Sequence, residues 1–241
     1  KNKTRGYNWV SKAAAKGDEL AQFHQGVFYY EGIGTKVNYK KAYKLLVKAA
    51  ENKVTEANRY LAEMYTKGIV VEKNTKKAAE YYRKAAQAND PEAEYQIAHV
   101  FLKGIDENET NGKEALRWLE ISSEHGHPRA QYELGMLYWK GRVVQQDYTK
   151  AFKWIYLAAK TGLTEAEFMV GKACFEGKGV DEDRVRAAHW LKRSAEKDYV
   201  LANSMLGQMY KWGYGLRQSE VEAYKHFLKA AQAGDAEAQY N

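Results

Sequence analysis

Proline is nearly missing from this chain, and so is cysteine. Two prolines in 241 residues leave few enforced breaks in backbone hydrogen bonding, so helix is allowed almost throughout. The one cysteine, Cys174, excludes an internal disulfide framework. It does not decide the compartment, because secreted proteins need not carry disulfides. No apolar run approaches the ~20 residues that a membrane-spanning helix needs. The N-terminus shows no signal peptide. Charge of one sign is only mildly lacking: 38 Lys and Arg against 31 Asp and Glu leave a formal +7, a bias towards acidic partners. With 45% hydrophobic and 29% charged residues, the composition is that of an ordinary globular protein.

What the chain has in abundance is itself. The stretch from Ala130 to Ala159 contains two amphipathic runs, Ala130, Leu134, Gly135, Leu137, Tyr138 and then Ala151, Trp154, Ile155, Ala158, Ala159, separated by a break at Gly141 and a short polar loop. Apolar residues three and four apart give each run one buried helical face. Neither helix has the surface to stand alone, so the unit must stack on copies of itself. The opening alanine recurs at Ala21, Ala57, Ala93, Ala130, Ala166, Ala202 and Ala238, at spacings of 36, 36, 37, 36, 36 and 36. The expected architecture is an all-α, α/α solenoid of helix–turn–helix repeats with a period of about 36 residues. It divides into a partial repeat 1–17, repeats 18–53, 54–89, 90–126, 127–162, 163–198 and 199–234, and a partial repeat 235–241, as a fragment of a longer protein.

Each repeat position has a physical task. Five residues after the opening alanine stands a small residue (Gly26, Ala62, Ala98, Gly135, Gly171, Gly207) that lets the second helix approach. Three further on comes a larger one (Tyr29, Tyr65, Phe101, Tyr138, Cys174, Tyr210) to fill the space between helices, and three further again a glycine (Gly32, Gly68, Gly104, Gly141, Gly177, Gly213) to end the helix in the left-handed conformation. Gly34, Gly179 and Gly215 add a second glycine that shapes the turn. The second helix is capped by Asn38, Asn74, Asn111, Asp147, Asp183 or Ser219, with Asn2 in the partial copy. It ends at Gly17, Lys53, Asn89, Gly126, Gly162, Asp198 or Gly234, and Thr55, Asp90-Pro91 and Thr164 cap the next first helix. The irregular copy is the third, whose loop from Gly104 to Ala115 is one residue longer and acidic at Asp106, Glu107 and Glu109. It reads as a tolerated surface insertion or as part of a binding face.

The pattern A-x-x-x-L-G-x-x-Y-x-x-G, a turn, then K-A-x-x-W-x-x-x-A-A-x-x-G resembles the Sel1-like repeat, a relative of the tetratricopeptide repeats. Tyr132 to Tyr138 with Gly141, then Lys150-Ala151 to Ala159 with Gly162, fit it closely, and the resemblance covers the whole chain. It implies a right-handed superhelix of antiparallel helix pairs, with first helices lining the concave surface and second helices the convex one. It further implies an adaptor or scaffold. Bacterial relatives are frequently secreted, periplasmic or host-interacting, and eukaryotic ones act in endoplasmic-reticulum quality control and signalling. The cysteine-rich branch carries a disulfide in each repeat, and a chain with one cysteine falls outside it.

Chemistry is sparse. Cys174 occupies a core position, and His125-Gly126-His127 lacks carboxylate or thiolate neighbours that would complete a metal site. His24, His99, His189 and His226 share no spacing, and the Gly-x-Gly pairs end helices rather than follow strands. No catalytic residue, metal or cofactor is expected. The lysines are scattered and the aromatics sit at repeat-core positions, which argues against nucleic-acid binding.

The informative residues are those the repeat leaves free. If Leu134, Leu137 and Tyr138 face the core, then Tyr132, Met136 and Trp139 point into the groove of the first helices. Their equivalents are Phe23, Val27, Tyr30; Arg59, Glu63, Thr66; Tyr95, His99, Leu102; Phe168, Lys172, Phe175; and Ser204, Gln208, Lys211. Large apolar side chains dominate four of these six copies, and such residues are enriched at interface centres. The alternative is that the first member of each trio wedges neighbouring first helices together. The expected function is a monomeric protein-interaction scaffold whose groove holds a partner segment with acidic flanks, anchored on Tyr132, Met136, Trp139 and Phe175 beside Lys140, Lys172 and Lys211. A binder of a small or polymeric ligand, such as peptidoglycan or a peptide, is the competing reading, ahead of an enzyme.

Overall fold

The computed structural model describes residues 2–103 and 109–235, with the backbone alone at 103 and 109–111. These residues form thirteen α-helices and no strand: α1 (Asn2–Ala15), α2 (Glu19–Glu31), α3 (Tyr39–Glu51), α4 (Ala57–Lys67), α5 (Thr75–Ala86), α6 (Pro91–Lys103), α7 (Glu109–Glu124), α8 (Pro128–Lys140), α9 (Tyr148–Lys160), α10 (Thr164–Glu176), α11 (Arg184–Ala195), α12 (Val200–Trp212) and α13 (Glu220–Gln232). They fall into two compact units, Lys1–Ile121 and Ser122–Asn241. Within the first, each helix from α1 to α6 packs on the next; within the second, the same holds from α8 to α13. Gly104, Asp106 and Glu107 of the irregular loop, and Ala238, lie outside the described residues.

The helix ends follow from local chemistry. Asn38, Asn74, Asp147, Asp183 and Ser219 each accept a hydrogen bond from the backbone N–H three residues on, satisfying one of the helix's free amides. The first helices end on left-handed glycines at Gly32, Gly68, Gly141, Gly177 and Gly213. All seven residues expected to end second helices have positive φ, including the non-glycines Lys53, Asn89 and Asp198. Four expected caps are corrected, the first being Asn2, which belongs to α1 itself. Asn111 lies inside α7, which starts at Glu109, three residues earlier than a cap at Asn111 would place it. Thr55 stands one residue before Glu56, which precedes α4 without a side-chain cap bond, and Thr164 stands one residue past the capping position three before the opening alanine. There Asp18, Asp90 and His127 accept from the N–H of Ala21, Ala93 and Ala130. In the remaining copies Val54, Leu163 and Tyr199 occupy that position and join the apolar core instead.

Packing within each pair depends on the small residue at the centre of the first helix. A Cβ on Gly171 would lie 2.7 Å from Leu191 Cγ, and one on Gly207 would lie 2.6 Å from the Phe227 ring. The larger residue three positions on is buried at Tyr65 and Cys174 and half-buried elsewhere, and two of its tyrosine hydroxyls bridge to the preceding second helix: Tyr7 donates to Tyr29 at 2.6 Å, and Tyr43 and Tyr65 share a hydrogen bond of 3.2 Å. The second turn glycine does more than shape its own loop. A Cβ on Gly179 would collide with the carbonyl of Tyr148, and one on Gly215 with the backbone of Arg184, so each loop lies against the start of the preceding second helix. The copies without this glycine hold Val70 and Val143 at φ 67°, a left-handed conformation that a β-branched residue adopts only under strain.

One structural position has no counterpart in the sequence reading. The residue after each opening alanine is polar and buried: Gln22, Asn58, Glu94, Gln131, Glu167 and Asn203. Gln22 and Gln131 donate to the Ala14 and Ser123 carbonyls, in the last turns of α1 and α7, which also accept from the backbone N–H of Gly17 and Gly126. Asn203 bonds the His226 ring on α13 at 2.9 Å. Glu167, fully buried, accepts from Arg193 at 2.8 Å and Lys197 at 2.7 Å. Where it bridges to another helix, at Gln22, Gln131, Glu167 and Asn203, this polar seam fixes the registration of the first helix, where an apolar seam could slide.

Candidate functional site

In the second unit, the ends of α8 and α10 each present an aromatic ring that is half-buried and already engaged. Trp139 meets Tyr148, the first residue of α9, edge to face with centroids 5.1 Å apart. Lys178, from the loop after α10, lies over both rings, 5.8 Å from the first and 5.5 Å from the second. One repeat on, Phe175 meets Tyr214 at 6.0 Å, and Arg184 covers both at 5.6 and 4.6 Å. The two clusters use the same three repeat positions with the cation and one ring exchanged. Such contacts are worth ~0.5–1 kcal/mol each at exposed sites, enough to hold rings in one orientation. Met136 and Tyr132 are half-buried against the same core. Burial and the neighbouring Tyr199 and Glu165 charges push the Tyr132 hydroxyl up to about 12, so it stays a neutral donor. Lys172 pairs with Glu176 at 3.8 Å, and Lys211 lies over Trp212.

In the first unit the corresponding positions run from aromatic to polar. Tyr30 meets Tyr39 at 5.5 Å and Tyr60 at 5.4 Å, and its hydroxyl donates to Glu63 at 2.9 Å. Burial first, and the Glu63 charge second, raise the Tyr30 hydroxyl well above its ordinary range. Arg59 pairs with Asp90 at 3.3 Å and Glu63 at 3.7 Å, and stacks on Tyr60 at 4.5 Å. Beyond this cluster, between α4, α5 and α6, lies a pocket of about 430 Å³. Its floor is Tyr82 and Val100, its wall Thr66, Thr75, Gln96 and His99, and its rim Glu63, Lys67 and Lys73. Tyr95, buried beneath, stacks edge to face on His99 with centroids 4.6 Å apart.

The family model for the Sel1 repeat matches residues 1–18, 20–54, 55–90, 91–127, 128–163, 164–199 and 200–235. The chain belongs to the Sel1 repeat family. Solved Sel1 structures agree. A protective antigen present in uropathogenic Escherichia coli strains, c5321, is 32% identical with a TM-score of 0.85, covering 98% of this chain and 50% of its own. A Sel1 repeat protein from Oxalobacter formigenes is 29% identical with a TM-score of 0.76, covering 95% of this chain and 91% of its own. Among curated proteins, the Arabidopsis thaliana F-box protein At1g70590 is 53% identical over 36 residues, 15% of this chain and 10% of its own. The chain thus spans half the length of the E. coli antigen and a tenth of the F-box protein.

As a Sel1 solenoid the chain is a repeat scaffold of the type that protein binders use. The residues expected in the groove divide on inspection. Tyr95 and Phe168 are buried, at 7% and 8% exposure; Phe23 is likewise buried and reaches Tyr60 on the neighbouring first helix at 6.0 Å. Such burial is what the wedge alternative expects of the first member of a trio. Tyr30, Arg59, His99, Tyr132, Met136, Trp139, Lys172, Phe175 and Lys211 remain half-buried. Sequence reasoning missed Tyr148, Lys178, Arg184 and Tyr214, which sit at the first turn of second helices and in the Sel1 turns. The signal was an aromatic or cation one residue after the cap, as at Tyr39, Tyr148 and Arg184. Cys174 is fully buried with its thiol raised by burial, and His127 caps a helix. Among the described residues no group of three or more His, Cys, Asp or Glu could hold a metal ion, and no helix is long and apolar enough to cross a membrane.

Proposed function

We propose that this Sel1 chain is a protein-interaction scaffold that holds a partner segment along its first helices, with Trp139 and Phe175 as apolar anchors. The observation that carries this reading is the pair of ring–ring–cation clusters. The rings are held in fixed orientations before any partner arrives, so little side-chain entropy is lost on binding. The cations above them, Lys178 and Arg184, suit a partner whose apolar anchors are flanked by acidic residues.

The test is Trp139→Ala, assayed for melting and for affinity towards the partner recovered by cross-linking. Trp139 is half-buried and stacked on Tyr148, so its loss costs about 1–2 kcal/mol of stability. That is less than the ~3–5 kcal/mol of a core tryptophan. Affinity falls by about 30-fold, ~2 kcal/mol, with the variant still folded. Unchanged affinity would remove the anchor role.

A further inference from the structure

The pocket of about 430 Å³ between α4, α5 and α6 exists because three rings are missing from it. One repeat earlier the same positions hold Tyr30, Tyr39 and Tyr60, packed within 5.5 Å of the central ring. Moving each along by 36 residues gives Thr66, Thr75 and Gln96, all of which line the pocket. In the second unit the same positions hold Trp139, Tyr148 and Met169, or Phe175, Arg184 and Met205. The chain itself therefore shows what this site is shaped to contain.

We infer that the pocket takes an aromatic side chain of the partner segment, with acidic residues beside it. This deepens the scaffold reading and rests on it. The floor is apolar, since Tyr82 and Val100 are 1% and 8% exposed, so a ring entering the pocket buries its faces as Tyr30 does one repeat earlier. A bare anion is disfavoured, because Glu63 stands in the rim and nothing in the floor opposes a negative charge. The rim favours acidic flanks instead. Lys67 is held by Glu63 at 3.0 Å, and Lys73 makes no ion pair among the described residues. The volume lies within the ~300–1,000 Å³ typical of ligand pockets.

The experiment titrates the whole, isotope-labelled chain with the peptide Ac-Glu-Trp-Glu-NH2 and follows backbone amide resonances. The expected result is saturable, millimolar binding with shifts at Thr66, Thr75 and Gln96. Ac-Glu-Ala-Glu-NH2 binds at least about tenfold more weakly, because charge alone leaves the floor empty. Thr66→Tyr with Thr75→Tyr restores the chain's own rings and abolishes binding; Gln96→Tyr fills the same space from α6 should the double variant misfold. Absence of shifts at the pocket, equal binding of the alanine peptide, or binding that survives both filling variants would overturn the inference. Shifts at Thr66, Thr75 and Gln96 read this pocket, whereas the partner affinity of Trp139→Ala reads the anchor site. A failure here with partner affinity still dependent on Trp139 therefore sinks the pocket alone, and the reverse outcome sinks the anchor site alone.

Discussion

Replacing Arg193 and Lys197 together with alanine lowers the stability of the second unit by about 3–5 kcal/mol. The two side chains are the cationic partners of Glu167, a carboxylate with no exposed surface. Each oxygen accepts at 2.7–2.8 Å, and Lys197 also donates to the Gly162 carbonyl at 2.7 Å, closing the seam between α10 and α11. The cations themselves are 39% and 41% exposed, so either one alone returns to water cheaply. The asymmetry decides the result: removing both leaves a buried, unpaired charge, and that desolvation cost exceeds what solvated cations lose. Changing Glu167→Gln in the same background restores most of the loss. The repeat already accepts a neutral amide there, as at Gln22 and Gln131. Because a solenoid can unfold repeat by repeat, the loss is read from amide exchange in α10 and α11 as well as from the denaturant midpoint. A change below about 1 kcal/mol would mean that water reaches the carboxylate.

Gly135→Val destabilises by about 3 kcal/mol. A Cβ at this position would stand 2.5 Å from Ile155 Cγ1 and 3.0 Å from the Ala151 carbonyl oxygen, so α8 and α9 must move apart to admit it. Valine adds two methyl groups to that clash against an isoleucine that is 1% exposed. Alanine is a milder case, since Ala62 and Ala98 occupy the equivalent position in the first unit. Gly135→Ala therefore costs about 1 kcal/mol, the low end for an added methyl in a tight contact. Equal melting of the valine variant and the parent would show that the helix pair is not closely packed at its centre.

Most of the fold was legible because a repeat states each structural requirement several times over. A glycine at 141 alone is ambiguous; the same glycine at 32, 68, 177 and 213, each in the left-handed conformation, is a helix end. Caps were legible where the side chain meets its own helix, as at Asn38 or Asp183, since that chemistry is local. The caps of the first helices were misplaced by one residue at Thr55 and Thr164. A polar residue at a helix start resembles one that caps it, and three of the six described positions three before the opening alanine are filled by Val54, Leu163 and Tyr199. The buried seam escaped notice because Gln22, Asn58 and Glu167 look like surface residues. Only their partners, carbonyls and cations 8 to 30 residues away for Gln22 and Glu167, make their burial tolerable.

The candidate site was legible in outline only. Helical spacing put Tyr30, Met136, Trp139 and Phe175 on one side of the first helices, and they are half-buried there. It could not reveal that Lys178 and Tyr214 reach over from the next repeat, because such contacts depend on how Sel1 turns lie against the preceding helix. Nor did it separate Tyr95 and Phe168, which are buried, from the rings that stay accessible. The polar second copy stood out as an exception in the sequence; the pocket at Thr66 and Thr75 is its physical consequence.

The most direct test of the scaffold account is amide hydrogen exchange of the chain with and without its recovered partner. Binding along the first helices protects amides in the last turns of α8 and α10, around Trp139 and Phe175, and leaves the outer turns of α9 and α11 unchanged. Protection confined to α9 and α11, or none in the second unit, would contradict the account.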